Sequence, residues 1–402
     1  MTVSLEDVQT AAARIADDVV LTPMQRSGTL SQMLGAEICL KFENLQFTGS
    51  FKDRGSANHL RSLSAADRER GVIALSAGNH AQGVAYHSAR MGIKATVVMP
   101  TSAPFSKVAN TEALGASVVQ YGTTLYESRE KVDELQEAQG LRYVHPYDDR
   151  SVIAGQGTIG LEMLAAEPSL ECLLVPVGGG GLISGIAVAV KALRPDVEVI
   201  GVQIESYNSV AAAFTGSTEP PAEGDTLADG IAVKSLGKAT FELIERLVDD
   251  VVTVSEEDTE RALVLLLEIE KTVVEGAGAV GLAAVIADPE RFAGRNVGLV
   301  LSGGNIDSRV LASVLMRGMI RSGRIISLRI RLRDQPGQLL SVIDAVAAAG
   351  ASVVEVHHRR LFDPISARSS NVDVVMEVRD GIHAEVVIGA LRQAGHQVDQ
   401  IS

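Results

Sequence analysis

VPVGGGGLISG, at Val175–Gly185, joins an apolar run to a second apolar segment through four consecutive glycines. Four glycines would destabilise a continuous helix by about 1 kcal/mol each, so the stretch predicts a buried strand, a glycine loop and a buried helix rather than a membrane span. Glycines between a strand and a helix N-terminus present unpaired backbone N–H groups to an anion such as a phosphate. No Lys-Ser/Thr pair follows the glycines, which excludes a Walker A loop, and the alternative is a tight turn without a ligand.

The order of strand, polar or glycine-rich turn and helix repeats over the first 320 residues. Short apolar strands that alternate with helices are typical of mainly parallel α/β sheets covered on both faces. The sequence therefore predicts an open, mainly parallel α/β architecture for this part of the chain. The predicted strands are Val72–Leu75, Ala95–Met99, Leu173–Val177, Val199–Ile204 and Val297–Leu301.

The pattern changes at Arg317–Arg324, where we place a domain boundary. Apolar and polar residues alternate strictly over 326–333, which predicts a half-solvated strand. A helix over Leu339–Ala349, two further strands, a helix over His383–Ala394 and a short last strand follow. This βαββαβ order is typical of a ferredoxin-like domain, which we assign to residues 325–402.

The composition narrows the partners and the compartment. The chain has 402 residues with 36 Lys plus Arg against 50 Asp plus Glu, and the resulting net charge of −14 disfavours nucleic acid and anionic membranes as partners. The two cysteines, Cys39 and Cys172, fit a reducing cytoplasm, and Met1–Asp18 lacks the apolar core of a signal peptide. No HExxH or paired CxxC spacing occurs, so we expect no metal site. The sequence predicts a cytoplasmic metabolic protein.

The segment KFENLQFTGSFKDRG, Lys41–Gly55, contains a candidate reactive amine. Lys52 follows Phe51 where a Gly/Ser/Thr-rich turn opens a predicted helix. An amine must lose its proton to act as a nucleophile, which burial or a neighbouring cation favours. We expect Lys41 and Arg54, which are close in sequence, to lower the pKa of Lys52. The alternative is a lysine on a solvated helix face.

Two further turns follow predicted strands. SAGNHAQG, Ser76–Gly83, offers backbone N–H groups suited to a carboxylate, and Asn79 suits a hydroxyl or phenolate oxygen. His80 is as well explained as a structural histidine. SGGN, Ser302–Asn305, places a hydroxyl at the carboxyl edge of the sheet, where ligands bind in open α/β folds. A literal GxGxxG at Gly276–Gly281 follows a predicted helix instead of a strand, so it is a weak indication of a dinucleotide site.

Four segments together resemble the fold-type-II pyridoxal-phosphate enzymes: TGSFKDRG around Lys52, SAGNHAQG, VGGGG and SGGN. Within that group the chain resembles the threonine ammonia-lyases (threonine dehydratases) over residues 5–320, and HPYDD at His145–Asp149 and IAGQGTIGLE at Ile153–Glu162 add to the likeness. The resemblance implies pyridoxal 5'-phosphate as cofactor and a catalytic domain of residues 1–320, with a smaller subdomain at about 48–148. Asp334-x-Pro-Gly-x-Leu339 resembles the ACT regulatory domains.

The resemblance implies a role for each residue in the cofactor motifs. Lys52 would form the Schiff base with the cofactor aldehyde and act as the catalytic base, and Phe51 would lie against the cofactor ring. Asn79 would contact the ring hydroxyl, Ser302 would contact the pyridine nitrogen, and Glu275 would lie near the ring. The phosphate would be bound by Gly178, Gly179, Gly180, Gly181 and Leu182.

The resemblance also implies a substrate site and an effector site. The substrate carboxylate would be bound by Ser76, Ala77, Gly78, Asn79 and His80. An amino-acid effector such as isoleucine would bind after the first strand of the ACT-like domain, at Asp334, Gly337 and Gln338. The alternative is a domain that only assists assembly, and the family favours a homodimer or a homotetramer.

The implied reaction is the deamination of L-threonine to 2-oxobutanoate and ammonia, and of L-serine to pyruvate. Serine racemase is an alternative, although the racemases have Ser at the position of Ala77. Their divalent-cation site is matched by Glu205 but not by Ala211, where a second carboxylate is expected. Hydroxyaspartate ammonia-lyase is another alternative. A non-catalytic amino-acid sensor is a third, which the intact Lys52 disfavours.

Overall fold

The computed structural model describes residues 3–214, 224–234, 236–333, 335–359 and 369–401. The chain divides into two compact units, Met1–Ile306 and Asp307–Ser402. The division lies before the helix Ser308–Arg321 and not within the predicted boundary segment, Arg317–Arg324. The reason is that this helix packs on the strand Ile325–Arg333 of the second unit.

The strands are short, and most are rich in Val, Ile and Leu, which suit a buried pleated surface. In the described part of the chain they are β1 (Met24–Arg26), β2 (Glu37–Lys41), β3 (Val72–Leu75), β4 (Ala95–Met99), β5 (Ser117–Gln120), β6 (Arg142–Tyr143), β7 (Cys172–Pro176), β8 (Glu198–Ile204), β9 (Asp250–Val254), β10 (Asn296–Val300), β11 (Ile325–Arg333), β12 (Ser352–Arg359), β13 (Ser369–Glu377) and β14 (Gln397–Gln400).

Several helices begin at a side chain that accepts hydrogen bonds from first-turn N–H groups, as Thr124, Asp149 and Ser255 do. The α-helices are α1 (Leu5–Ile15), α2 (Gly28–Leu34), α3 (Lys52–Ser62), α4 (Ala65–Arg70), α5 (Asn79–Arg90), α6 (Phe105–Ala113), α7 (Leu125–Gln139), α8 (Arg150–Ala166), α9 (Gly181–Leu193), α10 (Ser209–Phe214), α11 (Lys238–Leu247), α12 (Glu256–Glu270), α13 (Gly276–Ala287), α14 (Pro289–Phe292), α15 (Ser308–Arg321), α16 (Gln338–Ala348) and α17 (Gly381–Gln393). Among the described residues, no helix has the length and apolar character needed to cross a membrane.

Two open sheets form the first unit. The larger has the order β1-β2-β10-β7-β8-β9, in which every pair is parallel except β1 with β2. The smaller has the order β5-β4-β3-β6 and is parallel throughout. The smaller sheet is built between β2 and β7 of the larger in chain order. These two sheets confirm the predicted fold class, because parallel strands covered by helices are what the alternating pattern requires.

The second unit contains the predicted βαββαβ order, from β11 through α16, β12, β13 and α17 to β14. Its sheet is antiparallel, with the order β12-β13-β11-β14. The apolar members of the alternating strand, Ile326, Leu328, Ile330 and Leu332, are all buried. The predicted ferredoxin-like arrangement is confirmed. The effector candidate Asp334 lies outside the described residues.

Candidate active site

Loops from both sheets of the first unit meet at the carboxyl ends of their strands. The SAGNH turn follows β3, the glycine loop follows β7, and SGGN follows β10. The start of α3 lies beside them, because Ser50 pairs with Gly303 in an isolated antiparallel bridge. The backbone N–H of Phe51 also donates to the carbonyl of Ser302 over 3.0 Å. The structure therefore brings three separated motifs and Lys52 to one edge, where open α/β folds bind ligands.

Lys52 is the first residue of α3, and its amine lies in a weakly polar environment. Nζ donates a 2.8 Å hydrogen bond to the carbonyl of Pro146 and lies 5.0 Å from the ring centre of Phe51. Burial lowers the pKa of Lys52 to about 8, and the nearby Glu275 opposes this shift. An amine with such a pKa is deprotonated in a substantial fraction near neutral pH, which a nucleophile or base requires.

The prediction that Lys41 and Arg54 lower the pKa of Lys52 is wrong, because both cations form ion pairs with carboxylates. Arg54 donates from Nε and Nη2 to Glu43 over 2.7 and 2.8 Å, and both cations pair with Glu162 at 2.5 Å. The side chains of Arg54 and Glu43 are 0% exposed. We call these four residues the Arg54 cluster. It connects α3, which begins with Lys52, to β2 and α8.

The glycine loop has no room for side chains on the side of Tyr147. A Cβ atom on Gly179 would overlap the Tyr147 ring, and one on Gly181 would lie 2.9 Å from the Tyr147 Cβ. Gly180 precedes α9 with a φ of +90°, a conformation that favours glycine. The first N–H groups of α9 have no partner within the helix, so the loop and the helix together suit an anion.

The SAGNH turn leads into α5, and the glycine before the helix leaves access to the first backbone N–H groups open. Gly78 precedes the helix, and a Cβ atom there would meet nothing within 4 Å. Its N–H donates to Ser76 Oγ over 3.1 Å. The N–H groups of Asn79 and His80 begin the helix, which suits a carboxylate. The His80 side chain is buried and engaged, since Nε2 lies 2.9 Å from the Val144 carbonyl oxygen. His80 therefore contributes only its backbone to this turn.

His80 makes stability depend on pH. Burial lowers the pKa of His80 to about 3 from an ordinary 6.5, so between these values the unfolded chain binds a proton that the folded chain does not. The stability of the folded chain therefore falls as the pH falls below 6.5, by at most about 1.4 kcal/mol per pH unit from this group. We expect His80→Gln to reduce this slope in urea unfolding measured between pH 7.5 and 4.5, and the exposed His357→Gln to leave it unchanged. Equal slopes in all three proteins would contradict the assignment.

Glu275 precedes α13 and lies against both the SAGNH turn and the SGGN turn. Its Oε1 accepts a 2.8 Å hydrogen bond from Asn79 Nδ2. Burial raises the pKa of Glu275 to about 7, which the bond from Asn79 opposes. Gly303 approaches so closely that a Cβ atom there would lie 3.0 Å from Glu275 Cδ, so this position of the SGGN turn requires glycine. Ser302 is buried beside it.

Comparison with known proteins assigns this arrangement to a family. A sequence model described as pyridoxal-phosphate dependent enzyme matches residues 15–303. The L-threonine ammonia-lyase of Thermotoga maritima is 44% identical over 397 residues, which cover 98% of this chain and 99% of the relative. The chain belongs to the threonine ammonia-lyase family of pyridoxal-phosphate dependent enzymes. The predicted cofactor is thereby confirmed.

Solved structures resemble most of the chain. The T.th. threonine deaminase has a TM-score of 0.71 and 43% identity, and the match covers 76% of this chain and 99% of that chain. Serine racemase from Dictyostelium discoideum has a TM-score of 0.72 and 34% identity, with 76% and 100% covered. One scaffold therefore serves both elimination and racemisation, so individual residues must decide between them.

The residues of the enzyme fit pyridoxal phosphate. The glycine loop at the N-terminus of α9 suits the phosphate, since glycine lets an anion approach the backbone N–H groups closely. Among the described contacts, the Lys52 amine bonds to a neutral carbonyl and not to a carboxylate, so no ion pair opposes its deprotonation within bonding distance. Ser302 supplies a hydroxyl where β10 ends.

Sequence reasoning missed three residues around the glycine loop of the enzyme. Tyr147 packs against Gly179, and Thr240 Oγ1 donates to the Gly179 carbonyl over 2.8 Å. Asp148 accepts from the first three N–H groups of α11, at 2.9 to 3.1 Å. The available signal was HPYDD, because it follows β6 and therefore lies at the carboxyl edge of the smaller sheet.

Gly179→Ala tests the fit of the glycine loop. The added methyl group would overlap the Tyr147 ring, and relieving such overpacking costs about 1–3 kcal/mol. We expect the loop to carry that strain into the phosphate site and to raise the Kd for pyridoxal phosphate roughly 5- to 150-fold. The measurement is a titration of the cofactor's visible absorbance, with Gly28→Ala as control because a Cβ atom there meets nothing within 4 Å. Equal Kd values for the two variants would refute the assignment.

Proposed function

We propose that the enzyme deaminates L-threonine to 2-oxobutanoate and ammonia, and L-serine to pyruvate. One observation carries the proposal: the Lys52 amine, the glycine loop and Ser302 meet at one sheet edge in a chain of the threonine ammonia-lyase family. The roles below are part of the same proposal.

Lys52 is the catalytic residue of the proposed reaction. Pyridoxal phosphate, when bound, withdraws electrons from the substrate Cα. Lys52 carries the cofactor at rest, and Nζ later accepts the Cα proton, for which its lowered pKa suits it. Phe51 covers the amine at 5.0 Å and helps to exclude water. Nζ then gives this proton to the departing β-hydroxyl, which leaves as water. The amine is therefore unprotonated at the end of the elimination.

The other predicted residues bind and orient. Gly178–Gly181 and Leu182 bind the cofactor phosphate at the N-terminus of α9. The turn from Ser76 to His80 binds the substrate carboxylate at the N-terminus of α5. Asn79 and Ser302 contact the ring, and the Ser302 hydroxyl offers the pyridine nitrogen a neutral partner instead of a carboxylate. Glu275 lies near the ring with Asn79 bonded to it.

Serine racemisation is the second candidate function, and two positions disfavour it. Ala77, in the SAGNH turn, carries a methyl group and cannot deliver a proton to the opposite face of the substrate. Ala211 is buried, and its N–H donates to Gln203 Oε1 over 3.0 Å, so the position provides no carboxylate for a cation. Within the residues that the structure describes, no three His, Cys, Asp or Glu side chains are grouped to hold a metal ion.

The test of the function is a product assay with the full-length enzyme and pyridoxal phosphate. We expect 2-oxobutanoate from L-threonine, pyruvate from L-serine, and no D-serine. If 3-hydroxyaspartate gives oxaloacetate and threonine gives no product, the proposed substrate is wrong but the type of reaction is right. If D-serine is the main product from L-serine, the enzyme is a racemase and not a lyase. Bound cofactor without any turnover would favour a sensor.

We also propose an amino-acid effector site on the second compact unit. Gly337 has a φ of +87° and directly precedes α16, which begins with Gln338. The first N–H groups of α16 have no partner within the helix, so they suit the carboxylate of an amino acid. Isoleucine is the effector we propose, since 2-oxobutanoate leads towards it. Asp334 belongs to the proposed site by its place in the same sequence motif.

The isoleucine response has its own test. We expect isoleucine to change the apparent affinity of the full-length enzyme for threonine roughly 5- to 150-fold, as for a coupling of about 1–3 kcal/mol. Gln338→Ala should reduce this response, whereas the exposed Gln393→Ala, at the end of α17, should keep it. An unchanged response in Gln338→Ala would refute the site, and a wild-type enzyme indifferent to isoleucine would refute the regulation.

The compartment and assembly belong to the proposal as well. Cys39 and Cys172 are both buried free thiols, which fits a reducing cytoplasm. We propose a homodimer or homotetramer, on the strength of the pairing habit of ACT-like domains. Light scattering of the purified protein measures the mass directly, and a monomer would refute this part.

A further inference from the structure

A chain of amide hydrogen bonds crosses the site from Thr48 to Glu275. Asn305 Nδ2 donates to the Thr48 carbonyl over 2.7 Å and to Asn79 Oδ1 over 2.8 Å. Asn79 Nδ2 in turn donates to Glu275 Oε1 over 2.8 Å. Three hydrogen bonds thus connect four separate segments of the sequence, and Asn305 is the residue whose function the motifs left unexplained.

The chemistry of the two ends fixes the direction of this chain. A backbone carbonyl only accepts hydrogen bonds, and an amide nitrogen only donates them. The Thr48 carbonyl therefore requires the nitrogen of Asn305 on its side, and the second hydrogen of that nitrogen requires the oxygen of Asn79. The Asn79 nitrogen is then directed at Glu275, whose carboxylate also only accepts.

Asn305 packs closely against the turn that carries its acceptor. Gly49 has a φ of +73°, and a Cβ atom there would lie 3.0 Å from Asn305 Oδ1, so a larger residue at this position would crowd the Asn305 side chain. The acceptor is fixed, because Thr48 donates from N and Oγ1 to the buried Asp53 over 2.9 and 2.5 Å. Asp53 follows Lys52 in α3, so this series of hydrogen bonds is anchored in the helix that carries the reactive amine.

We propose that Asn305 is a positioning residue that holds the Asn79 amide with its nitrogen toward Glu275 and thereby sets the charge of Glu275 beside Lys52. Asn305 acts through Asn79 and has no direct bond to the Glu275 carboxylate among the described contacts. The inference rests on the proposed function only in placing Asn79 and Glu275 in the active site.

The charges around Glu275 give the direction of the effect. Burial raises the pKa of Glu275, the Asn79 bond lowers it, Asp229 raises it, and Lys107 and Lys52 lower it. Without Asn305, the Asn79 amide is free to turn its oxygen toward Glu275, which removes the donor and favours the protonated acid. A protonated Glu275 no longer opposes the effect of burial on Lys52, so the pKa of the amine falls as well.

The experiment titrates Glu275 in the full-length holoenzyme. Carboxyl-¹³C glutamate is incorporated, and the Glu275 resonance is identified by its absence from Glu275→Gln. We expect Asn305→Ala to raise the pKa of Glu275 by about one unit, the size of effect that a lost hydrogen bond to a carboxylate produces. Asn305→Asp keeps the shape but only accepts when ionised, so it should raise this pKa at least as much and serves if Asn305→Ala does not fold.

A double-mutant cycle separates positioning from a general structural role. In an Asn79→Ala background, Asn305→Ala should cause no further shift of the Glu275 pKa, because the residue it acts through is absent. A shift of the same size in that background would overturn the inference, as would an unshifted Glu275 in both Asn305 variants. The titration does not depend on turnover. A wild-type enzyme inactive on threonine would therefore refute the proposed function and leave this inference untouched.

Discussion

Lys52→Ala is expected to lower kcat/KM for L-threonine by at least about 10³-fold, within the range of a lost general base. The loss should be large because one amine both carries the cofactor at rest and takes the Cα proton. No second amine is within hydrogen-bond distance of Lys52 Nζ among the described contacts, where its partner is the Pro146 carbonyl. Steady-state formation of 2-oxobutanoate measures the effect.

Lys131→Ala is the matched control for this prediction. Lys131 lies on α7, which packs against the smaller sheet, and pairs with the exposed Glu134 at 2.6 Å. Its removal should leave kcat/KM near the wild-type value. Circular dichroism should show both variants folded. Substantial threonine turnover by Lys52→Ala would remove this residue from the mechanism.

Arg54→Ala is expected to destabilise the chain by about 3–5 kcal/mol, the cost of leaving a buried charge without its partner. Burial raises the pKa of Glu43, but Arg54 and then Lys41 hold it below the ordinary value. Without Arg54, the nearest cation is Lys41 Nζ at 3.9 Å, and Glu43 must either stay charged without adequate pairing or take up a proton. Urea unfolding of the full-length chain measures the loss.

Arg194→Ala is the matched control for the Arg54 cluster. Arg194 also makes a two-bond pair, with Asp196, at 2.6 and 2.9 Å, and donates to the Pro168 carbonyl, but Asp196 is exposed and Arg194 is only half-buried. Exposed pairs contribute little, because water solvates the separated charges well. The unfolding midpoint of Arg194→Ala should stay close to that of the wild type. If Arg54→Ala unfolds at the same midpoint, the cluster does not stabilise the fold as argued.

The local elements of the fold could be predicted because their signals are local. Val72–Leu75 and Ala95–Met99 form strands over the predicted residues, since short apolar runs end at polar turns. The neighbours of each strand could not be predicted in this way. β2 pairs with β10 from the far end of the first unit, and a local pattern carries no information about such a partner. The grouping of α15 with the second compact unit depends in the same way on a tertiary contact, its packing on β11.

The site shows the same division between local motifs and tertiary contacts. Each motif could be assigned to a strand end, and strand ends of parallel sheets meet at one edge. The bond between Asn79 and Glu275 joins residues 196 positions apart, so no spacing could reveal it. Of the two causes that the sequence offers for a lowered pKa of Lys52, burial acts, whereas the nearby cations Lys41 and Arg54 pair with carboxylates elsewhere. Side-chain partners and burial are properties of the folded chain.

Reduction of the holoenzyme with borohydride, followed by peptide mass spectrometry, identifies the lysine that carries the cofactor. Borohydride converts the link between an amine and the cofactor aldehyde into a stable secondary amine. We expect the added mass on the peptide that contains Lys52, and we expect the other eight of the nine lysines to be unmodified. The cofactor on another lysine, or on none, would contradict the assignment of Lys52 as the residue that carries it.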